Sequence, residues 1–115
     1  MLFICYPKCS TCQKAKKWLE KHNIAYKERH IVENNPSYEE LKEWYEKSGF
    51  ALKKFFNTSG MLYKEMELKN KLPEMSEDEQ LKLLSTNGML VKRPLLITDD
   101  RVLVGFREVE WNELI

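Results

Sequence analysis

The chain has 115 residues, 43% hydrophobic and 32% charged, and its 19 Lys and Arg nearly cancel 18 Asp and Glu to leave a net charge of +1. That length supports a single domain, residues 1–115, with one real core and no need of a metal or disulfide staple. Near-neutrality excludes a global field for nucleic acid or an anionic membrane, so direct nucleic-acid binding is not expected and any anion site is local.

No stretch reaches the roughly 18 apolar residues of a membrane span, and Met1 leads into LFICYP without a basic n-region and apolar core. A cytoplasmic monomer with no membrane contact is expected. All three cysteines fall within CYPKCSTC, from Cys5 to Cys12. An odd number crowded at one end cannot make a disulfide framework, and clustered thiols in a reducing compartment suggest chemistry.

Met1 to Tyr6 (MLFICY) is a short apolar run ended by Pro7, which predicts a buried strand followed by a loop. A helix should begin near Cys9: Cys12, Ala15, Leu19 and His22 recur at helical spacing with Trp18 flanking, while Lys14, Lys16, Lys17, Glu20 and Lys21 mark the solvated side. Asn23 is a plausible stop. Ala25 to Val32 (AYKERHIV) alternates loosely and predicts a second strand, parallel to the first through a right-handed crossover.

The middle, residues 36–89, should be a mainly helical insertion. Ser37 with Glu40 is a capping box ahead of Tyr38, Leu41, Tyr45 and Ser48, and Gly49 follows as a stop. Ala51 to Phe56 predicts a short helix. Ser76 with Glu79 repeats the box ahead of Leu81, Leu83 and Leu84, with Asn87-Gly88 as the stop. Thr58 to Pro73 carries no clear signal. Pro94 to Thr98 (PLLIT) and Val102 to Val104 flank Asp99-Asp100-Arg101 and predict an antiparallel hairpin, and Glu108 to Ile115 a last helix. The order is βαβ, helices, then ββα: an α/β fold with a small mixed β-sheet.

Cys9-Ser10-Thr11-Cys12 is a C-x-x-C placed after a strand and at the opening of a helix. A cysteine in that first turn receives unpaired N–H groups and the positive end of the helix dipole, which favour thiolate, so Cys9 is the expected nucleophile. Cys12, within one turn and on the inward stripe, is the expected resolving thiol, and Lys8 adds local positive charge. Cys5, in the apolar strand, reads as a buried hydrophobe. Three thiols with only His22 and His30 to complete a set do not make a zinc site, so no metal is expected.

YPKCSTCQKAKKWLE, LVKRPLLI and VGFRE resemble the arsenate-reductase-like family that includes the Spx-type redox regulators, and the resemblance covers essentially the whole chain. It implies a thioredoxin-like fold with a helical insertion between the halves. It implies that Pro94 is the active-site cis-proline, and that Arg93 and Arg107 match the two C-terminal arginines with which the arsenate reductases bind their oxyanion. Guanidinium groups beside a thiolate would hold a tetrahedral anion and favour the charged sulfur. The glutaredoxin-coupled reductases carry a third arginine in the middle segment, where KKFFNTSG places Asn57; Lys53 or Lys54 would supply only a point charge. Those enzymes also tend to lack a cysteine at the position of Cys12.

Two functions follow. The first is a thiol-dependent oxidoreductase in which Cys9 attacks a disulfide or arsenate, Arg93 assists, and Cys12 resolves. It needs no bound cofactor: without a G-x-G-x-x-G for NADPH, electrons would come from glutathione, glutaredoxin or thioredoxin. The second is an Spx-like regulator that binds the C-terminal domain of the RNA polymerase α-subunit under control of a Cys9–Cys12 disulfide. In that branch a middle-segment glycine contributes to the contact; Gly49 is the candidate, although a C-cap role explains it equally.

Overall fold

Four short strands, β1 (Leu2–Cys5), β2 (Lys27–His30), β3 (Leu95–Ile97) and β4 (Val102–Val104), form one mixed sheet in the computed structural model, which describes residues 1–115. Their spatial order is β2-β1-β3-β4. The pair β1/β2 is parallel, with Leu2 opposite Lys27 and Cys5 opposite His30. β3 runs antiparallel to β1, with Ile4 opposite Leu95, and β4 antiparallel to β3. The apolar runs at the two ends of the chain thus supply the sheet interior. The period-2 alternation of strands sends their side chains into two cores: Phe3, Cys5, Leu96 and Leu103 meet Cys12, Ala15, Leu19 and Trp111 on one face, and Ile4, Leu95, Val102 and Val104 meet the helices of the middle segment on the other. No helix is long and apolar enough to cross a membrane.

Helix α1 (Ser10–Lys21) buries Cys12, Ala15, Trp18 and Leu19, so Trp18 belongs to the inward stripe that the spacing places beside it. His22 caps the helix, and Asn23 turns the chain with φ of +54°. β2 is half the length of the expected 25–32 strand. It ends because the Val32 and Glu33 N–H groups turn back to donate to Nδ1 of His30, each at 3.1 Å.

Between β2 and β3 lie α2 (Tyr38–Ser48), α3 (Met61–Glu65), α4 (Leu68–Lys71) and α5 (Glu77–Leu84), with a 3-10 turn at Leu52–Phe55 in place of the expected short helix. Both capping boxes form, at Ser37/Glu40 and Ser76/Glu79, and Gly49 adopts φ of +72° to end α2. The buried pair on α2 is Leu41 and Trp44, whereas the spacing points to Tyr45 and Ser48 and passes over the tryptophan. Trp44 is turned inward beneath Arg29, whose guanidinium lies 5.9 Å from the indole centroid and forks onto both oxygens of Glu40 at 2.7 and 2.8 Å. Thr58 to Pro73, without a signal in the sequence, holds α3, α4 and a 3-10 turn because Tyr63, Leu68 and Leu72 bury into the core.

α5 is capped by Ser85, before Asn87-Gly88, so that pair is not its stop. Gly88 serves close approach: a Cβ there would lie 2.0 Å from the Ile31 carbonyl oxygen. Gly88→Ala is therefore expected to cost about 2–3 kcal/mol through overpacking against backbone, against about 1–2 kcal/mol for the left-handed strain of Gly49→Ala, measured as denaturant midpoints. The Arg29 guanidinium holds the Glu40 carboxyl at about 2, below its ordinary 4.5. A group depressed on folding contributes stability above its unfolded value and loses it as pH falls through the folded one. Glu40→Gln should accordingly flatten the fall in urea midpoint between pH 4.5 and 2; an unchanged slope would show that the pair contributes nothing.

Candidate active site

β1 delivers the chain to a tight loop, Tyr6-Pro7-Lys8, that sets Cys9 at the mouth of α1. The Cys9 N–H donates to the Tyr6 carbonyl at 2.9 Å, and Nε2 of Gln13 donates to the Pro7 carbonyl at 2.7 Å, tying loop to helix. Cys9 is the N-cap, with extended φ and ψ of −87° and 121°, and no acidic residue occupies the first turn to offset the helix dipole. Its side chain makes no capping hydrogen bond, but the N–H groups above it still favour its anion.

The two thiols are electrostatically opposite. Partial burial works against ionisation of Cys9, but the N–H groups of Cys12 and Thr11, the Cys12 thiol and the Arg93 guanidinium outweigh it and hold Cys9 below the ordinary 9.0. Cys12, 1% exposed, is pushed well above that value by burial. The Tyr6 N–H, donating to its sulfur at 3.4 Å, offsets this only in part, and negative charge on Cys9 adds to the rise. Cys5 is raised to about 11, again by burial first and by Glu28 second. All three cysteines are free thiols.

Arg93 and Pro94 arrive from the other end of the chain. The β1/β3 pairing closes at Ile4–Leu95, so Arg93 and Pro94 enter β3 at the end of the sheet where β1 gives way to Tyr6. The Arg93–Pro94 peptide is cis, and Pro94 is buried, its carbonyl accepting from Gly105 N–H at 2.8 Å. Gly105, at φ of +75°, in turn accepts at its carbonyl from the Trp111 indole N–H at 3.2 Å, which links this corner to the core behind α1. The Arg93 guanidinium lies 5.2 Å from the Tyr6 ring centroid. Its Nε and Nη1 are buried with no hydrogen-bond partner in the chain.

The other expected anion ligands are differently placed. Arg107 caps the short helix α6 (Glu108–Trp111) with its side chain 72% exposed, and its ion-pair partner is Glu110, at 3.9 Å. Lys54 reaches the same Glu110 at 3.7 Å and lies 3.8 Å from the Phe50 ring centroid. Lys8 and Lys53 are exposed. Asn57 is held by its N–H donating to the Leu90 carbonyl at 2.8 Å. The structure thus brings together Cys9, Cys12, Arg93 and Pro94, and leaves Arg107 and Lys54 on Glu110. A surface depression of about 670 Å³ lies instead at the outer edge of β2, among Lys27, Arg29, His30 and Glu40, and none of the cysteines lines it. No local pattern in the sequence marks Tyr6 or Gln13; only the tertiary contact reveals Tyr6 as the neighbour of Arg93.

A sheet of order β2-β1-β3-β4 with a cysteine-capped helix after β1 and a cis-proline before β3 is a thioredoxin-like fold, and comparison with known proteins agrees. YusI of Bacillus subtilis (strain 168) is 60% identical over 113 residues, spanning 98% of this chain and 96% of that protein. The global transcriptional regulator Spx of Enterococcus faecalis is 32% identical over 109 residues, spanning 95% and 81%. The crystal structure of an ArsC-family-related protein from Bacteroides fragilis superposes with a TM-score of 0.97 at 60% identity, covering 99% of this chain and 96% of that one. The ArsC family profile matches residues 5–114, a span that holds all three thiols together with Arg93 and Pro94, and the chain belongs to the ArsC family.

Proposed function

We propose that this protein is a thiol-dependent oxidoreductase in which Cys9 is the nucleophile and Cys12 the resolving thiol. One observation carries the reading: the half-exposed Cys9 at the mouth of α1 is biased toward thiolate beside Arg93, while the buried Cys12 one turn behind it is biased toward thiol. The Cys9 thiolate attacks one sulfur of a disulfide, forming a mixed disulfide and expelling the other sulfur as a thiolate. Forming that bond removes the charge on Cys9, one of the causes that hold Cys12 protonated. Cys12 then loses its proton and attacks the Cys9 sulfur, releasing the second thiolate and leaving a Cys9–Cys12 disulfide. Two electrons have passed to the substrate, and glutathione, glutaredoxin or thioredoxin would return them.

With arsenate, the Cys9 sulfur would displace one oxygen as water to give a thiolate–arsenic adduct, and attack by a second thiol would yield trivalent arsenic and a disulfide. Arg93 is the one arginine that acts on the Cys9 sulfur, and Arg107 turns to Glu110, so arsenate would be held with fewer cationic donors than three converging arginines provide. A redox-switch reading rests on the likeness to a protein named as a global transcriptional regulator. In that reading the same Cys9–Cys12 pair governs docking to the C-terminal domain of the RNA polymerase α-subunit.

Alkylation by iodoacetamide near neutral pH is expected at Cys9 before Cys12 or Cys5, with a rate that rises through a midpoint below 9.0. Modification of Cys12 first would overturn the assignment of roles. NADPH oxidation coupled through thioredoxin or glutaredoxin, with arsenate or a disulfide substrate, should be abolished in Cys9→Ser. Undiminished turnover in that variant would sink the nucleophile assignment. Absence of turnover with both couples, together with a redox-dependent pull-down of the polymerase domain, would favour the switch.

A further inference from the structure

We propose that Tyr6 is a positioning residue for the thiol site: its ring face holds the Arg93 guanidinium in place at the end of the sheet from which α1 and Cys9 start. The inference rests on the reading of Cys9 as the nucleophile and adds a residue to it.

The contact follows from the sheet. β2, β1 and β3 are consecutive neighbours, and at their common edge His30 ends β2, Tyr6 follows β1 and Arg93 precedes β3. Their side chains form one row. His30 is fixed by the two backbone N–H groups its Nδ1 accepts. It meets Tyr6 edge-to-face with centroids 5.8 Å apart, and Tyr6 carries the Arg93 guanidinium over its ring at 5.2 Å.

Arg93 makes no salt bridge, and its Nε and Nη1 are buried without a hydrogen-bond partner in the chain. A guanidinium so placed is poorly solvated, and the negative face of an aromatic ring is the compensating group this site supplies. The ring thereby fixes the plane of the guanidinium while leaving its donors for a negative sulfur or its substrate. The main chain of Tyr6 has a separate task, donating to Cys12 at 3.4 Å, and that bond survives any change of side chain. The Tyr6 hydroxyl makes no hydrogen bond within the chain, so the ring face alone should suffice.

The test is the pH profile of Cys9 alkylation by iodoacetamide, followed by mass spectrometry on the full chain in wild type, Tyr6→Phe, Tyr6→Leu, Arg93→Met and Tyr6→Leu/Arg93→Met. Tyr6→Leu is expected to raise the midpoint by about 0.5 to 1 pH unit, Tyr6→Phe to keep it at wild type, and Arg93→Met to raise it at least as far. The double variant should match Arg93→Met alone, because the ring acts only through the arginine. A wild-type midpoint in Tyr6→Leu, or an additive shift in the double variant, would overturn the role of Tyr6 while leaving Cys9 as the nucleophile. An unchanged midpoint in Arg93→Met would overturn it too. Failure of the reading beneath is distinguishable, since Cys9 would then not be the thiol alkylated first in any variant. Should Tyr6→Leu lose its cooperative melting transition, Tyr6→Met makes the same non-aromatic comparison.

Discussion

The antiparallel pairing of β1 with β3 is the contact on which the site depends. It joins the two ends of the chain, Ile4 against Leu95, and so brings Arg93, just before β3, over the ring of Tyr6, just after β1. A slip by one residue would turn Leu95 to the other face of the sheet, because side chains alternate along a strand, and would carry Arg93 away from Tyr6. Burial on both faces opposes such a slip. Phe3 and Leu96 belong to the core under α1, and Ile4 and Leu95 to the core under the middle helices, so a shifted register would exchange the contents of both.

Two cores divide the work. The one under α1 buries Cys12 and closes with Trp111, whose indole donates to Gly105, which in turn donates to Pro94. The larger core, under α2 to α5, borders the site through the segment before Arg93. Phe56 pairs with Val91 across an isolated bridge, the Lys92 N–H donates to the Phe55 carbonyl at 2.8 Å, and the Asn57 N–H donates to Leu90. The middle segment thus positions the approach to Arg93.

Two contrasting thiol environments lie one helical turn apart. Burial disfavours the anion of both sulfurs, yet only Cys9 has the helix N–H groups and a guanidinium to reverse the effect, and in the proposed reaction that difference makes one thiol an attacker and its neighbour a reserve. Cationic charge at the site is sparse. Arg107 and Lys54 both turn to Glu110, so Arg93 is the cation set beside the sulfur, with an aromatic ring for support.

The sequence by itself determined whatever is decided within one turn of the chain. Both capping boxes, the glycine end of α2, the inward stripe of α1 and the placing of Cys9 ahead of Cys12 are local, because the groups that satisfy them lie three or four residues away. The apolar runs of β1, β3 and β4 were legible for a related reason, since burial on both faces leaves a continuous hydrophobic signature. Only the tertiary structure decided the rest. Trp44 turns inward for Arg29 from another element, Gly88 is a glycine because Ile31 passes 2.0 Å from where its Cβ would be, and Thr58 to Pro73 is helical because Tyr63, Leu68 and Leu72 find a core. Arg93 could be singled out by resemblance, but its partner Tyr6, and the capture of Arg107 by Glu110, depend on where distant segments meet, which no local pattern encodes.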